Sequence, residues 1–220
     1  IINVYGGEPL LVKQMTPFMR KLVDSGISKN IEINFATNGS IYEEEMFDML
    51  MTFKRRNILL SGDGSGKTFD YNRYPAKWDQ FIENMHLIQS RLLPIDFIAN
   101  AYTYSAYSIF DVIQTSKYYN EQLDFTLPIW LNPVNQDFYA IEMLPDPIKQ
   151  SLINEIEQTY NLGYVYTGST NLAPLVQQLK RPRVEAHWQE FKRITKMRDK
   201  MRNISILDII PELEGYWHED

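Results

Sequence analysis

Ile1-Ile2-Asn3-Val4-Tyr5-Gly6-Gly7-Glu8-Pro9-Leu10 opens the chain. The short apolar run reads as a strand over 2–6, and it ends in a glycine pair. Glycine enters left-handed backbone without a Cβ penalty, so a strand running into two glycines is set to turn sharply. Strand, glycine turn with a carboxylate and helix make one βα unit, and the same order recurs downstream. Strands are predicted at 2–6, 31–37, 57–61, 95–101 and 125–131, with helices at 10–25, 42–53, 77–91 and 107–120. Leu11, Met15, Phe18, Met19 and Leu22 recur at helical spacing, as do Phe81, Met85, Ile88 and Leu92. Such alternation means parallel strands joined by right-handed helical crossovers. It fits a doubly wound open sheet and part of a β/α barrel equally.

After Asn132-Pro133 the rhythm changes, which divides the chain into 1–132 and 133–220. Residues 138–143 fit one more strand, and helices are predicted at 147–160, 171–180 and 184–201. Asp146 before Pro147 makes a good N-cap and N1 pair. Residues 163–170 are predicted as a loop, and Arg181-Pro182 separates the last two helices.

Composition bounds the function. The 220 residues are 44% hydrophobic, 23% charged and 13% aromatic, which suits a packed globular protein and not a disordered one. A net charge of −6 argues against nucleic acid as a partner, although Lys and Arg cluster between Lys180 and Arg202. No apolar run approaches the roughly 20 residues of a membrane span. With no recognisable signal peptide, the expected location is the cytoplasm, with no membrane partner. The absence of cysteine excludes disulfides, thiolate zinc sites and thiolate-held iron–sulfur clusters built from these residues. The start inside a strand, without Met, is expected to be a cut, with exposed apolar surface beside it.

In parallel α/β folds, ligands bind at the C-terminal ends of the strands. Three successive strands end in polar, glycine-containing sequence: Gly6-Gly7-Glu8-Pro9, then Ala36-Thr37-Asn38-Gly39, then Ser61-Gly62-Asp63-Gly64. A lone segment of this kind is ordinarily a plain βα turn. Three on one rim predict a shared hollow in which Glu8, Asn38 and Ser61 converge.

Gly6-Gly7-Glu8-Pro9 after a strand resembles the GGEP motif of the radical SAM superfamily. Thr37-Asn38-Gly39 follows at a suitable distance, and Ser61-Gly62-Asp63-Gly64 is similar to that family's S-x-D-G. Tyr71-Asn72-Arg73-Tyr74-Pro75-Ala76-Lys77-Trp78 resembles a further stretch whose arginine lies near the methionyl carboxylate, and Asn84 and Asn100 fall at positions the family's next helix and strand use. The C-terminal portion, with Leu144-Pro145, Ile148-Lys149, Asp199, Arg202-Asn203 and Pro211-Glu212-Leu213, is similar to a twitch domain-containing subgroup.

The resemblance implies an α/β chain forming an incomplete (β/α)6 partial TIM barrel over 1–132, with a mostly helical, twitch-like C-terminal extension over 133–220. It implies S-adenosylmethionine bound by Gly6, Gly7, Glu8, Pro9, Thr37, Asn38, Ser61, Asp63, Arg73 and Asn100, with Glu8, Ser61, Asp63 and Arg73 as positioning groups and not as acids or bases. In complete members a [4Fe–4S] cluster on a C-x3-C-x2-C loop upstream of GGEP cleaves S-adenosylmethionine to a 5′-deoxyadenosyl radical, which abstracts hydrogen from substrate. Here GGEP begins at residue 6 and cysteine is absent, so neither that loop nor an auxiliary cluster is supplied. The expectation is therefore a fragment of such an enzyme, inactive by itself. Its substrate would be a peptide or small molecule, with a missing N-terminal segment or partner chain completing the barrel. The alternative is a non-catalytic binding module on a degenerate barrel.

Other signals are weaker. Gly62-Asp63-Gly64-Ser65-Gly66-Lys67-Thr68 resembles a P-loop and suggests nucleotide binding. That motif, however, needs glycine where Ser61 stands, and Phe69-Asp70-Tyr71-Asn72 is a poor helix. His86, His187 and His218 lack metal-ligand spacing. Glu43-Glu44-Glu45 is explained by the macrodipole of the helix it opens. The basic run 192–202 is explained by a solvated helix face, with an acidic peptide or phosphate as the functional alternative.

Overall fold

A computed structural model describes residues 1–161 and 172–218. In chain order the elements are β1 (Ile2–Val4), α1 (Met15–Asp24), β2 (Glu32–Thr37), α2 (Glu44–Leu50), β3 (Arg55–Leu60), α3 (Gly66–Asn72) and α4 (Trp78–Arg91). Then come β4 (Phe97–Tyr104), α5 (Val112–Gln122), β5 (Ile129–Pro133), α6 (Asp146–Asn161), α7 (Ala173–Leu179), α8 (Glu185–Arg202) and α9 (Glu214–Trp217). The protein is α/β, with a five-stranded sheet ordered β1-β2-β3-β4-β5. The pairs from β1 to β4 are parallel, as the alternation requires. Strands in strict chain order have no point where the order reverses, which separates this sheet from a doubly wound one.

The chain divides into two compact units, Ile1–Gly62 with Arg73–Ala101, and Asp63–Asn72 with Tyr102–Asp220. In the first unit, β2 and β3 alternate strictly. Ile33, Phe35 and Thr37 are buried, as are Arg56, Ile58 and Leu60, while the residues between them are half-buried. On the alternate row Asn3, Asn34 and Asn57 stand in register, and their carboxamides link across three strands at 2.6 and 2.7 Å. Helix α4 buries Trp78, Phe81, Asn84, Met85 and Ile88, one face at spacings of three and four. Burying a side chain such as Phe81 contributes about 1.5–3 kcal/mol. Arg56 and Asp96 form a buried ion pair, with side chains 3% and 0% exposed. Among the described residues strand β1 has β2 as its one neighbour, and Ile1 and Tyr5 beside it are exposed.

In the second unit, Tyr107, Trp188, Phe191 and Trp217 form an aromatic core, with Tyr107 and Phe191 ring centroids 4.7 Å apart. The Arg198 guanidinium lies over Tyr71 and Tyr107, 4.4 and 4.0 Å from the ring centroids. Tyr71 Oη donates to Asp199 at 2.6 Å, so segment Asp63–Asn72 is tied to α8.

Several expectations are corrected. Helix 10–25 is a 3-10 turn at Pro9–Leu11 followed by α1, which leaves Leu11 exposed and off the apolar stripe. The strand expected at 138–143 is two 3-10 turns, Asp137–Tyr139 and Ile141–Met143, closed by bonds from Tyr139 N to Gln136 O and Leu144 N to Ile141 O. Its apolar residues do not alternate: Ile141, Met143 and Leu144 are all buried. Residues 66–72 are helical despite poor propensity, because α3 buries Phe69 and Tyr71 completely or nearly so. The loop expected at 163–170 and the helix start expected at Asn171 lie outside the described residues.

Candidate functional site

Gly6 and Gly7 have φ of 89° and 57°, two consecutive left-handed residues. A Cβ at either would meet nothing within 4 Å, so backbone geometry and not crowding calls for glycine there. The turn brings Glu8 back over the end of β2. Its carboxylate accepts from Leu10 N at 3.2 Å, from Thr37 Oγ1 at 3.0 Å and from Asn38 N at 2.7 Å. Glu8 is 8% exposed, and Pro9 is buried at the start of the 3-10 turn that Glu8 caps. Thr37 Oγ1 stands 3.0 Å from both oxygens of that carboxylate, so each oxygen is engaged by two protein donors.

The second rim segment is equally organised. Thr37 Oγ1 accepts from Gly39 N at 3.1 Å, and Asn38 Oδ1 accepts from Ser40 N at 2.8 Å. Gly39, at φ 67°, presses on Phe81, where a Cβ would stand 2.6 Å from Cδ2. Asn84 Nδ2 donates to Gly39 O at 2.8 Å and fastens this loop to α4. Ser61 N donates to Thr37 O at 2.9 Å, so Ser61 sits beside the end of β2. Asn100 is fully buried, and both ends of its carboxamide bracket the Gly62 peptide, at 2.7 and 2.8 Å. Asn100 thus holds the loop that carries Ser61.

Glu8, Thr37, Asn38 and Ser61 are therefore brought to the C-terminal ends of β1 to β3 in the first unit, and Asn100, inside β4, stands in register with Leu60 at the end of β3. Arg73 lines a cavity of about 610 Å³ in that unit, together with Asn38, Ser40, Tyr74, Lys77 and Gln80. That volume lies within the about 300–1,000 Å³ of small-molecule sites. Asp63 belongs to the second unit, where its Oδ1 accepts from Thr103 N at 2.7 Å. Sequence reasoning found the polar rim but missed Asn84 and Gly39 as its supports: neither shows its contact until α4 packs on the sheet.

The glycine-rich stretch 62–68 behaves differently from a P-loop. A helix does begin at Gly66, contrary to expectation, but the niche before it is filled by the protein's own carboxylate. Asp111 accepts from Ser65 N at 2.5 Å, from Ser65 Oγ at 2.8 Å and from Thr115 Oγ1 at 2.9 Å. Burial raises the Asp111 carboxyl above its ordinary range, against the lowering effect of those hydrogen bonds. The Asp111 carboxyl group already stands where a phosphate would have to bind.

The implied cofactors fit unequally. Glu8 offers an anionic acceptor suited to an ammonium group, as S-adenosylmethionine presents. A [4Fe–4S] cluster does not fit this chain: it has no cysteine, and no group of three or more His, Asp or Glu among the described residues could hold a metal. No described helix is long and apolar enough to cross a membrane.

No family model matches the sequence, and no curated protein matches it. Among solved structures, Streptococcus suis SuiB bound to S-adenosylmethionine is similar over 72% of this chain and 34% of that one, with 13% identity and a TM-score of 0.46. The chain thus spans about a third of the length of that protein.

Proposed function

We propose that the first unit holds the amino-acid end of S-adenosylmethionine on the rim formed by Glu8, Thr37, Asn38 and Ser61, as part of a radical SAM enzyme inactive in this chain alone. The observation that carries the proposal is the Glu8 carboxylate, buried at a strand end and held in place by Leu10 N, Thr37 Oγ1 and Asn38 N. The sequential parallel sheet supports an incomplete β/α barrel, and the 610 Å³ cavity lined by Asn38 and Arg73 supports a ligand of nucleoside size beside that rim. Arg73 would face the methionyl carboxylate, and Asn100 would hold the Gly62 turn in place. Reductive cleavage of S-adenosylmethionine needs a cluster that these residues do not supply, so no step of that chemistry is assigned to them. The protein donors already on Glu8 favour a second reading, a non-catalytic module that keeps the rim as a scaffold.

Titration of the labelled protein with S-adenosylmethionine, followed by amide NMR, tests the proposal. The expected result is weak binding, about 1 mM or weaker, because no iron chelates the methionyl end. Shifts should appear at Asn38, Gly39 and Ser61 and be lost in Glu8→Gln, which keeps the side-chain shape. No shift at these residues overturns S-adenosylmethionine as the ligand. Tight Glu8-dependent binding overturns the dependence on a cluster.

A further inference from the structure

A second cavity lies in the second unit, independent of the rim above. It measures about 220 Å³, and its lining includes Phe110, Ile148, Leu152, Glu155, Glu212 and Tyr216, with Pro147 and Ser151 from the same helix as Ile148. Ile148 and Leu152 are one turn apart on α6, are 6% and 5% exposed, and form an apolar floor with half-buried Phe110. Ser151, Glu155 and Glu212 are exposed at the rim. The volume falls below the about 300 Å³ where small-molecule sites begin, which suits one side chain and not a nucleotide.

Charge decides which side chain. Among the described residues neither Glu155 nor Glu212 has an ion-pair partner, and no cation lines the cavity. Lys149, the cation of α6, is turned to Asp146 at 2.7 Å and to Arg181 O at 2.9 Å. We propose that this slot receives a lysine side chain from a partner peptide, its stem on Phe110, Ile148 and Leu152 and its ammonium between Glu155 and Glu212. An ammonium carries three donors, which two carboxylates and the hydroxyl of Ser151 or Tyr216 would satisfy. Arginine's planar fork is matched to a single carboxylate in bidentate geometry and fits two separate rim acceptors less well. The peptide backbone stays outside, because the slot has room for the side chain alone.

The test uses the full chain with methyl-labelled Ile and Leu, titrated at low salt with acetyl-Gly-Lys-Gly-amide. The matched probes carry norleucine, arginine or glutamate in place of lysine, and n-butylamine stands for a free amine. The lysine peptide is expected to shift the Ile148 and Leu152 methyls, the norleucine and glutamate peptides to bind at least threefold more weakly, and arginine to fall between. Glu155→Gln and Glu212→Gln, both at exposed positions, should each weaken lysine binding about threefold, the size of a partly exposed ion pair. Equal binding of norleucine, or lysine binding unchanged in both variants, overturns the proposal. Butylamine binding as well as the peptide overturns the peptide as its source.

Discussion

Replacing Asp96 by Asn removes the negative half of the ion pair buried in the first unit. Asp96 accepts from Arg56 N at 3.0 Å, Nε at 3.0 Å and Nη2 at 2.5 Å, and from Leu93 N at 2.8 Å. Arg56 Nη1 donates in addition to Phe53 O at 2.6 Å. One residue pair therefore satisfies the backbone at the start of β3, the turn before β4 and the turn after α2. With the carboxylate gone, the guanidinium, 3% exposed, keeps its charge without a counter-ion. Breaking a buried pair from one side costs about 3–5 kcal/mol, against a total stability of about 5–15 kcal/mol. At about 2–4 °C per kcal/mol for a chain of this size, the melting temperature should fall by roughly 6–20 °C. The assay is thermal and urea unfolding by circular dichroism, with Arg56→Met and the double variant completing a thermodynamic cycle. The double variant should recover part of the loss, since no unpaired charge remains, but not all, because Phe53 O and one of the two backbone N–H groups of Arg56 and Leu93, which bond different Asp96 oxygens, lose partners at about 1–3 kcal/mol each. An Asp96→Asn cost below about 1 kcal/mol would refute the reasoning, because it would mean water reaches Arg56.

Two further outcomes separate causes that look alike in sequence. Gly39→Ala should destabilise by about 2–5 kcal/mol, since it adds a clash with Phe81 to left-handed strain, whereas Gly7→Ala, with open space around it, should cost about 1–2 kcal/mol of strain alone; equal costs in urea titrations would refute the role of Phe81. Burial raises the Asp111 carboxyl above 3.8, so the folded state binds its proton more readily than the unfolded one, and ionised Asp111 opposes folding at neutral pH. Lowering the pH through its titration toward 3.8 should therefore stabilise the wild type relative to Asp111→Asn, and a difference in unfolding free energy that is flat or grows with pH would refute this.

Much of the rim was legible before folding. Glycine pairs, a carboxylate and Asn-Gly at successive strand ends are local statements about backbone freedom and capping, and local physics is what a linear pattern records. The buried rows of β2 and β3 were not legible in this way, since they include Thr37 and Arg56 while Ala36 and Leu59 stand on the opposite row. Helix α3 was misjudged because its propensity is poor and its stability comes from burying Phe69 and Tyr71. The strand expected at 138–143 failed for the converse reason: an apolar run has no preference for strand over turn until a neighbour offers a ladder.

The sequence by itself determined the parallel α/β order and the turn at Gly6-Gly7-Glu8, and it excluded thiolate chemistry from this chain, because composition and local backbone preference need no partner. Only the tertiary structure decided that Glu8 is held by Thr37 and Asn38, that Asp111 fills the glycine loop, and that Arg56 meets Asp96. Each is a contact between residues about 30–45 positions apart, and such a contact exists only once burial has brought the two segments together and made an unpaired polar group costly.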